Sequence, residues 1–174
     1  MACRLMLVAV LLCGCNSQPS SPNKQTPVVK PSAGADWETL PTGFEIVHTP
    51  NPVAKPIGPI QGRWPYKWTF RTEIRAKDQP LKVTQFMILA WDGQNWILDK
   101  KQQNYNSGEG DTKLFAKWYG CAEGKIGPGK PAVDEKNWAG NSTKSPFKQK
   151  WVVIGEDAMG QKYKGDGVVE LIID

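Results

Sequence analysis

Histidine is nearly absent from this 174-residue chain, which contains one histidine, His48, and four cysteines. A multi-histidine metal site is therefore excluded, and Ser-His-Asp or Cys-His catalysis would have to use His48 itself. His48 lies in a proline-rich stretch, where we expect a loop residue without a catalytic role. No run of like charges exceeds two residues, so the chain lacks the clustered basic stripe of nucleic-acid-binding proteins despite a net charge of +5.

Long apolar runs are also missing near the N-terminus. The run Leu5–Leu12 has eight residues, whereas a membrane-spanning helix needs about 20. Arg4 precedes this run, and Cys13-Gly14-Cys15 follows it. A cationic start, a brief apolar core and small residues are typical of a cleaved secretory signal. The ending Leu12-Cys13-Gly14-Cys15 resembles the lipobox of bacterial lipoproteins.

This resemblance implies an anchor and a location. In that family the cysteine that closes the box, here Cys15, is lipidated, and the preceding signal peptide, here residues 1–14, is removed. Bacterial lipoproteins carry at least two acyl chains, which is enough for stable membrane attachment. The implied partner is thus a membrane of the cell envelope. In a host with two membranes, Asn16 after the lipidated cysteine implies the outer membrane, at its periplasmic or exterior face.

Composition then divides the chain from Cys15 onward, which is long enough for one domain. Residues 15–36 are rich in Ser, Pro, Asn and Gln, and we predict a lipidated cysteine followed by a disordered tether. Residues 37–65 are predicted to pack on the domain as a proline-rich extended segment, with an edge strand at Gly43–Val47. Residues 66–174 are predicted to be the folded domain. If Cys15 is acylated, Cys121 has no partner, and we expect a buried, inert thiol.

Strand patterns dominate the predicted domain. Residues alternate between apolar and polar over Tyr66–Lys77, and a second strand is predicted over Leu81–Trp91. Asp92-Gly93 marks a tight hairpin that would bring Trp91 and Trp96 together. These signals predict an all-β fold, an antiparallel β-sandwich of immunoglobulin or fibronectin type, with one short helix near 111–119. Further predictions are strands over Lys150–Gly155 and Val168–Ile173, a loop over Cys121–Pro146, a helical contact between Leu114 and Trp118, and one face shared by Val83, Gln85, Met87, Leu89 and Trp91.

Eight tryptophans are an unusually high number for a chain of this length. We expect Trp68, Trp118 and Trp151 to fill the core. Because they flank a hairpin tip or lie in a predicted loop, Trp91, Trp96 and Trp138 are the candidate ligand-binding residues, suited to sugar rings or peptide segments.

Carboxylates give weaker signals. A loop calcium site could draw on Asp134, Glu135 and Asn137, or on Asp157 and Asp166, but the EF-hand spacing is absent. The adjacent acid pairs do not have the separation that a glycosidase needs. We therefore predict no catalytic residue, no metal site and no cofactor.

The interpretation that follows is a non-enzymatic binding or structural β-sandwich on a lipid anchor. Its partner would be an envelope protein or a glycan. The alternative is a carbohydrate-binding module that uses the loop tryptophans, and a hydrolase with an unrecognised site is the third hypothesis.

Overall fold

The computed structural model describes residues 37–62, 64–99 and 112–173. The predicted signal peptide and tether, residues 1–36, lie outside the described residues. Within those ranges the chain forms eight strands and one α-helix. The strands are β1 (Phe44–Thr49), β2 (Tyr66–Ala76), β3 (Leu81–Trp91), β4 (Trp96–Leu98), β5 (Lys125–Ile126), β6 (Ala132–Asn141), β7 (Phe147–Glu156) and β8 (Lys162–Leu171), and the helix is α1 (Thr112–Tyr119).

The strands form two antiparallel sheets. The smaller sheet has the order β1-β2-β6, and the larger has the order β4-β3-β7-β8, with β5 also pairing with β3. In immunoglobulin domains strands A, B and E lie in one sheet and C, F and G in the other, and variable domains add C′ beside C. β1, β2 and β6 correspond to A, B and E, while β4, β3, β7 and β8 correspond to C′, C, F and G. The predicted antiparallel sandwich is confirmed.

The core lies between the two sheets. Trp68 and Phe44 of the smaller sheet and Phe86 and Val153 of the larger are almost completely buried. The indole N–H of Trp68 donates a 2.9 Å hydrogen bond to the carbonyl of Ile172, so its polar atom is satisfied inside the core. The predicted burial of Trp68 and Trp151 is confirmed.

Helix α1 corrects one prediction. It contacts both β3 and β6, and its buried residues are Phe115 and Tyr119, whose rings stack with centroids 4.5 Å apart. Trp118 is exposed instead of filling the core, so the predicted Leu114–Trp118 contact does not define the buried face. The buried stripe is displaced by one residue, and Phe86 contacts both the buried Phe115 ring and the exposed Trp118 ring.

A β-bulge corrects the predicted faces of β3. Val83 pairs with Gly155 and Gln85 with Ile154, so β3 carries one extra residue at this point. An extra residue reverses the faces of all residues beyond it. Leu81 and Val83 therefore join the core together with Phe86 and Ile88, whereas Met87, Leu89 and Trp91 lie on the outer face.

A second bulge lies between β2 and β6. Phe70 pairs with Asn137 and Thr72 with Asp134, so here β6 has the extra residue. Counting from the buried Ala132, strict alternation would place Trp138 inside. The bulge instead places Asn137 inside and Trp138 outside. Both strands in this region were missed, since Lys125–Ile126 and Ala132–Asn141 fall in the stretch that we predicted to be a loop.

The outer face of the larger sheet has an apolar cluster of its own. It consists of Trp37, Met87, Leu89, Val152 and Ile154, flanked by Leu40, Trp96 and Leu98. Trp37 belongs to a short 3-10 turn, Trp37–Thr39, at the start of the described chain. The first described residues of the chain therefore cover part of the outer face of the larger sheet.

Strands β1 and β8 bring the two sheets together along one side. The chain just before and just after β1 is bridged to β8 in parallel fashion, at Thr42–Lys164 and Val53–Leu171, and the glycines Gly165 and Gly167 of β8 face Phe44 and Ile46 of β1. The edge strand predicted at Gly43–Val47 is confirmed as β1. The last two strands are longer than predicted, and only a short turn between Glu156 and Lys162 joins them.

Candidate functional site

Trp91 and Trp96 face each other across the hairpin of β3 and β4. They are register partners, and their ring centroids are 5.2 Å apart, which confirms the predicted proximity. The turn between them is built on Asp92, whose carboxylate accepts hydrogen bonds from the backbone N–H of Gln94 at 2.8 Å and of Asn95 at 2.7 Å. These two bonds hold the pKa of Asp92 below its usual value. Gly93 takes the positive φ that the turn requires.

The two indoles do not form one flat surface. Their planes are inclined by 56°, and the Lys150 ammonium lies 4.7 Å from the Trp96 ring centroid. Trp96 is accordingly half-buried, whereas Trp91 is 39 % exposed. Of the two rings, that of Trp91 is therefore the more exposed to solvent, and the half-buried Trp96 ring packs against it.

A cavity of about 360 Å³ opens beside Trp91, a size within the range of small-molecule sites. The Lys148 ammonium and the Glu170 carboxylate lie 2.5 Å apart at its lining. These two residues are register partners on β7 and β8. The remaining lining residues are Asp92, Gly93, Pro146, Phe147, Leu171 and Ile172. The cavity therefore combines an aromatic wall, an apolar base and one donor–acceptor pair.

Both carboxylates of this cavity already have partners. Asp92 has a lowered pKa because of its backbone hydrogen bonds, and Glu170 is paired with Lys148. The Lys148–Glu170 pair can bind hydroxyl groups, since it offers a donor and an acceptor side by side.

Trp138 lies on the opposite side of the sandwich. It projects from β6 on the outer face of the smaller sheet, is 39 % exposed, and has the Lys67 ammonium 4.6 Å from its ring centroid. The three tryptophans that the sequence singled out therefore belong to two surfaces. Trp91 and Trp96 are together, and Trp138 is separate.

His48 is a core residue, which corrects the predicted loop position. It lies on β1 with 5 % of its surface exposed, and its Nδ1 is 3.0 Å from the Thr72 hydroxyl. Asn137 donates to the same hydroxyl at 2.8 Å, so the Thr72 proton is free to be donated to a neutral imidazole. Desolvation lowers the pKa of His48 to about 4, and the Gly167 backbone acts in the opposite direction. His48 cannot reach a substrate in solvent.

Most of the residues on which a loop calcium site could draw are engaged elsewhere or face the core. Asn137 faces the core, and Glu135 is exposed beside Arg71. Asp157 accepts hydrogen bonds from its own turn, at the backbone N–H groups of Met159 and Gln161. Among the residues that the structure describes, no group of three or more His, Cys, Asp or Glu side chains could hold a metal ion. Cys121 is buried as expected, and its burial raises the pKa of the thiol.

Sequence reasoning missed the polar half of the cavity. The alternation of Phe147, Gln149 and Trp151 with Lys148 and Lys150 could have placed both lysines on an outer face. The partner of Lys148 could not be found in this way, because the pairing with Glu170 depends on the register set by the β7–β8 turn.

The comparisons with known proteins assign no relationship. No family model matches the chain, and no curated protein is significantly similar to it. Within the described ranges, no helix is both long and apolar enough to cross a membrane.

Proposed function

We propose that this protein is a non-enzymatic, lipid-anchored protein of the cell envelope whose β-sandwich binds a ligand in the cavity beside Trp91. The observation that carries the binding proposal is the exposed Trp91 ring next to the Lys148–Glu170 pair. The lipobox at Leu12–Cys15 supports the anchor.

A glycan of the envelope is the ligand class that this cavity suits best. The apolar face of a sugar ring can stack on the Trp91 indole, while its hydroxyls accept from Lys148 and donate to Glu170. The positive charge of Lys148 is offset by Glu170, so the site favours a neutral sugar. An envelope protein is the other candidate partner, through a loop or an edge strand.

The absence of catalysis is part of the proposal. It is supported by the burial of His48 and by the partners of the two cavity carboxylates, since Asp92 accepts two backbone hydrogen bonds and Glu170 is paired with Lys148.

The binding proposal predicts that Trp91→Ala weakens the affinity for a neutral envelope polysaccharide about tenfold or more, because an aromatic anchor is lost. Titration calorimetry with the purified chain measures this. Trp138→Ala is the matched control, since Trp138 is equally exposed on the other sheet and its loss should leave the affinity unchanged. Equal binding by the wild type and Trp91→Ala would contradict the proposed site.

A further inference from the structure

A second surface lies on the outer face of the smaller sheet and shares no residue with the Trp91 cavity. It consists of Ile57, Ile60, Trp64, Lys67 and Trp138, and we call it the isoleucine–tryptophan patch. Ile57 is 55 % exposed and Ile60 is 42 % exposed, so two large aliphatic side chains that are three residues apart in the sequence both face solvent. The proposed ligand site does not use any of these residues.

Backbone pairing holds the patch together. Ile57 and Lys67 exchange two backbone hydrogen bonds, of 2.8 and 2.9 Å, and Lys67 in turn pairs with Gly140 on β6. Ile57, Lys67 and Gly140 thus form one row across the sheet. Ile60 is fixed by its N–H, which donates to the Pro65 carbonyl at 2.9 Å.

Gly140 makes room for both indoles of the patch. A Cβ at this position would lie 2.8 Å from the Cβ of Trp64 and 3.1 Å from Cζ3 of Trp138. Both tryptophans therefore sit over the strand at the glycine, and the Lys67 ammonium lies against the Trp138 ring.

The chain segment that carries the two isoleucines is rich in positive charge. The segment Asn51–Thr72 contains four Lys or Arg residues and no Asp or Glu. Of these, Arg71 is engaged by Glu73 and Glu135. Lys67 and the exposed Lys55, two residues before Ile57, are in no ion pair within the described part of the chain.

We propose that the isoleucine–tryptophan patch docks on an anionic phospholipid surface. Exposed aliphatic side chains can enter the acyl boundary, indoles prefer the membrane interface, and lysines attract anionic headgroups. A sugar site would use the indoles but would gain nothing from Ile57 and Ile60.

The choice of this partner draws on the lipid anchor proposed above, which would hold the domain beside a membrane. Trp37, where the described chain begins, lies on the outer face of the larger sheet. The predicted tether of residues 16–35 would reach up to about 60 Å when extended, whereas packed sheets are only about 10 Å apart. An anchor attached on one side would therefore allow the opposite face to meet the membrane.

The test uses the mature chain, residues 15–174, with Cys15→Ala, so that no acyl chain contributes to binding. Co-sedimentation is measured with vesicles of phosphatidylglycerol and phosphatidylethanolamine, and with vesicles of phosphatidylcholine alone. We expect binding to the anionic vesicles that weakens as salt is raised. The double substitution Ile57→Ser with Ile60→Ser should weaken it about tenfold, since apolar insertion is lost.

Ile97→Ser is the matched control, because Ile97 is also exposed but lies on β4 of the other sheet. It should bind vesicles like the parent chain, and so should Trp91→Ala, which separates this proposal from the ligand site. The isoleucines are exposed, so both serine variants should keep the parent's thermal unfolding midpoint. Absence of binding to anionic vesicles at low salt would overturn the proposal, as would equal binding by the double variant.

Discussion

His48 shows how a single residue can acquire a role that its sequence position does not suggest. The prolines around it predicted a loop, yet the ring lies in the core, 5.5 Å from the Phe70 ring centroid. Its hydrogen bond to Thr72 links β1 to β2, and Asn137 extends the network to Tyr119 of α1 at 3.4 Å. A buried network of this kind stabilises the fold only while its members remain neutral.

The lowered pKa of His48 predicts acid sensitivity. Burial lowers this pKa from the ordinary histidine value of 6.5 to about 4 in the folded protein, so the unfolded chain binds the proton at higher pH. Stability is therefore complete above about pH 6.5 and is lost as the pH falls toward 4, by about 3 kcal/mol. His48→Gln should remove this component, and urea unfolding of both proteins between pH 7.5 and 4 measures it. The same dependence of stability on pH in both proteins would contradict the assignment of the acid sensitivity to His48.

Strand β8 requires glycine where it passes strand β1. It passes so close to β1 that a Cβ on Gly165 would lie 2.5 Å from the Phe44 Cβ and 2.8 Å from its carbonyl oxygen. Neither atom can be moved by a side-chain rotation, because the Phe44 Cβ is the first atom of a buried side chain and the carbonyl oxygen belongs to the backbone. The glycines thus permit the contact that joins the two sheets on this side.

Substitution of this glycine predicts a loss of stability. Gly165→Ala should lower the free energy of unfolding by about 1–3 kcal/mol, since the added methyl overpacks the contact with β1. Gly127→Ala is the control, because a Cβ there meets nothing within 4 Å, and its effect should stay within about 0.5 kcal/mol. Chemical denaturation measures the free energy of unfolding of both variants. Equal values for the two would show that β1 can shift to accommodate the added methyl group.

On the scale of the whole molecule, the sandwich has two outer faces with different chemistry. The larger sheet carries the Trp91 cavity and the cluster around Trp37. The smaller sheet carries the isoleucine–tryptophan patch. A protein anchored by its N-terminus and docked through the smaller sheet would turn the cavity away from its membrane.

The proposed lipid anchor predicts a covalent modification. A bacterium that expresses the full chain should incorporate labelled palmitate into it, and Cys15→Ala should abolish the label because the acceptor thiol is lost. Cys121→Ala keeps Cys15 and should be labelled like the wild type. In-gel detection of the label, with the mass of the mature N-terminus, measures both. A label that persists in Cys15→Ala would refute the lipobox assignment.

Local patterns in the sequence determined much of the fold. The alternation in β2 predicted which residues enter the core, because successive side chains of a strand point to opposite faces. The Asp-Gly turn predicted the Trp91–Trp96 pair, since a tight hairpin places its flanking residues opposite each other. Strand β6 escaped this reasoning because its Gly, Asn and charged residues have little strand propensity, and its backbone pairing with β2 holds it in place.

The exposure of the candidate tryptophans was decided only by the tertiary structure. Trp91 and Trp138 both lie beyond a bulge, and without that extra residue strict alternation would place each of them in the core. A bulge is defined by strand pairing, because it is an extra residue in one strand that has no partner of its own in the neighbouring strand. The sequence alone therefore identified these tryptophans as candidates, but the pairing of β3 with β7 and of β2 with β6 determined that they face solvent.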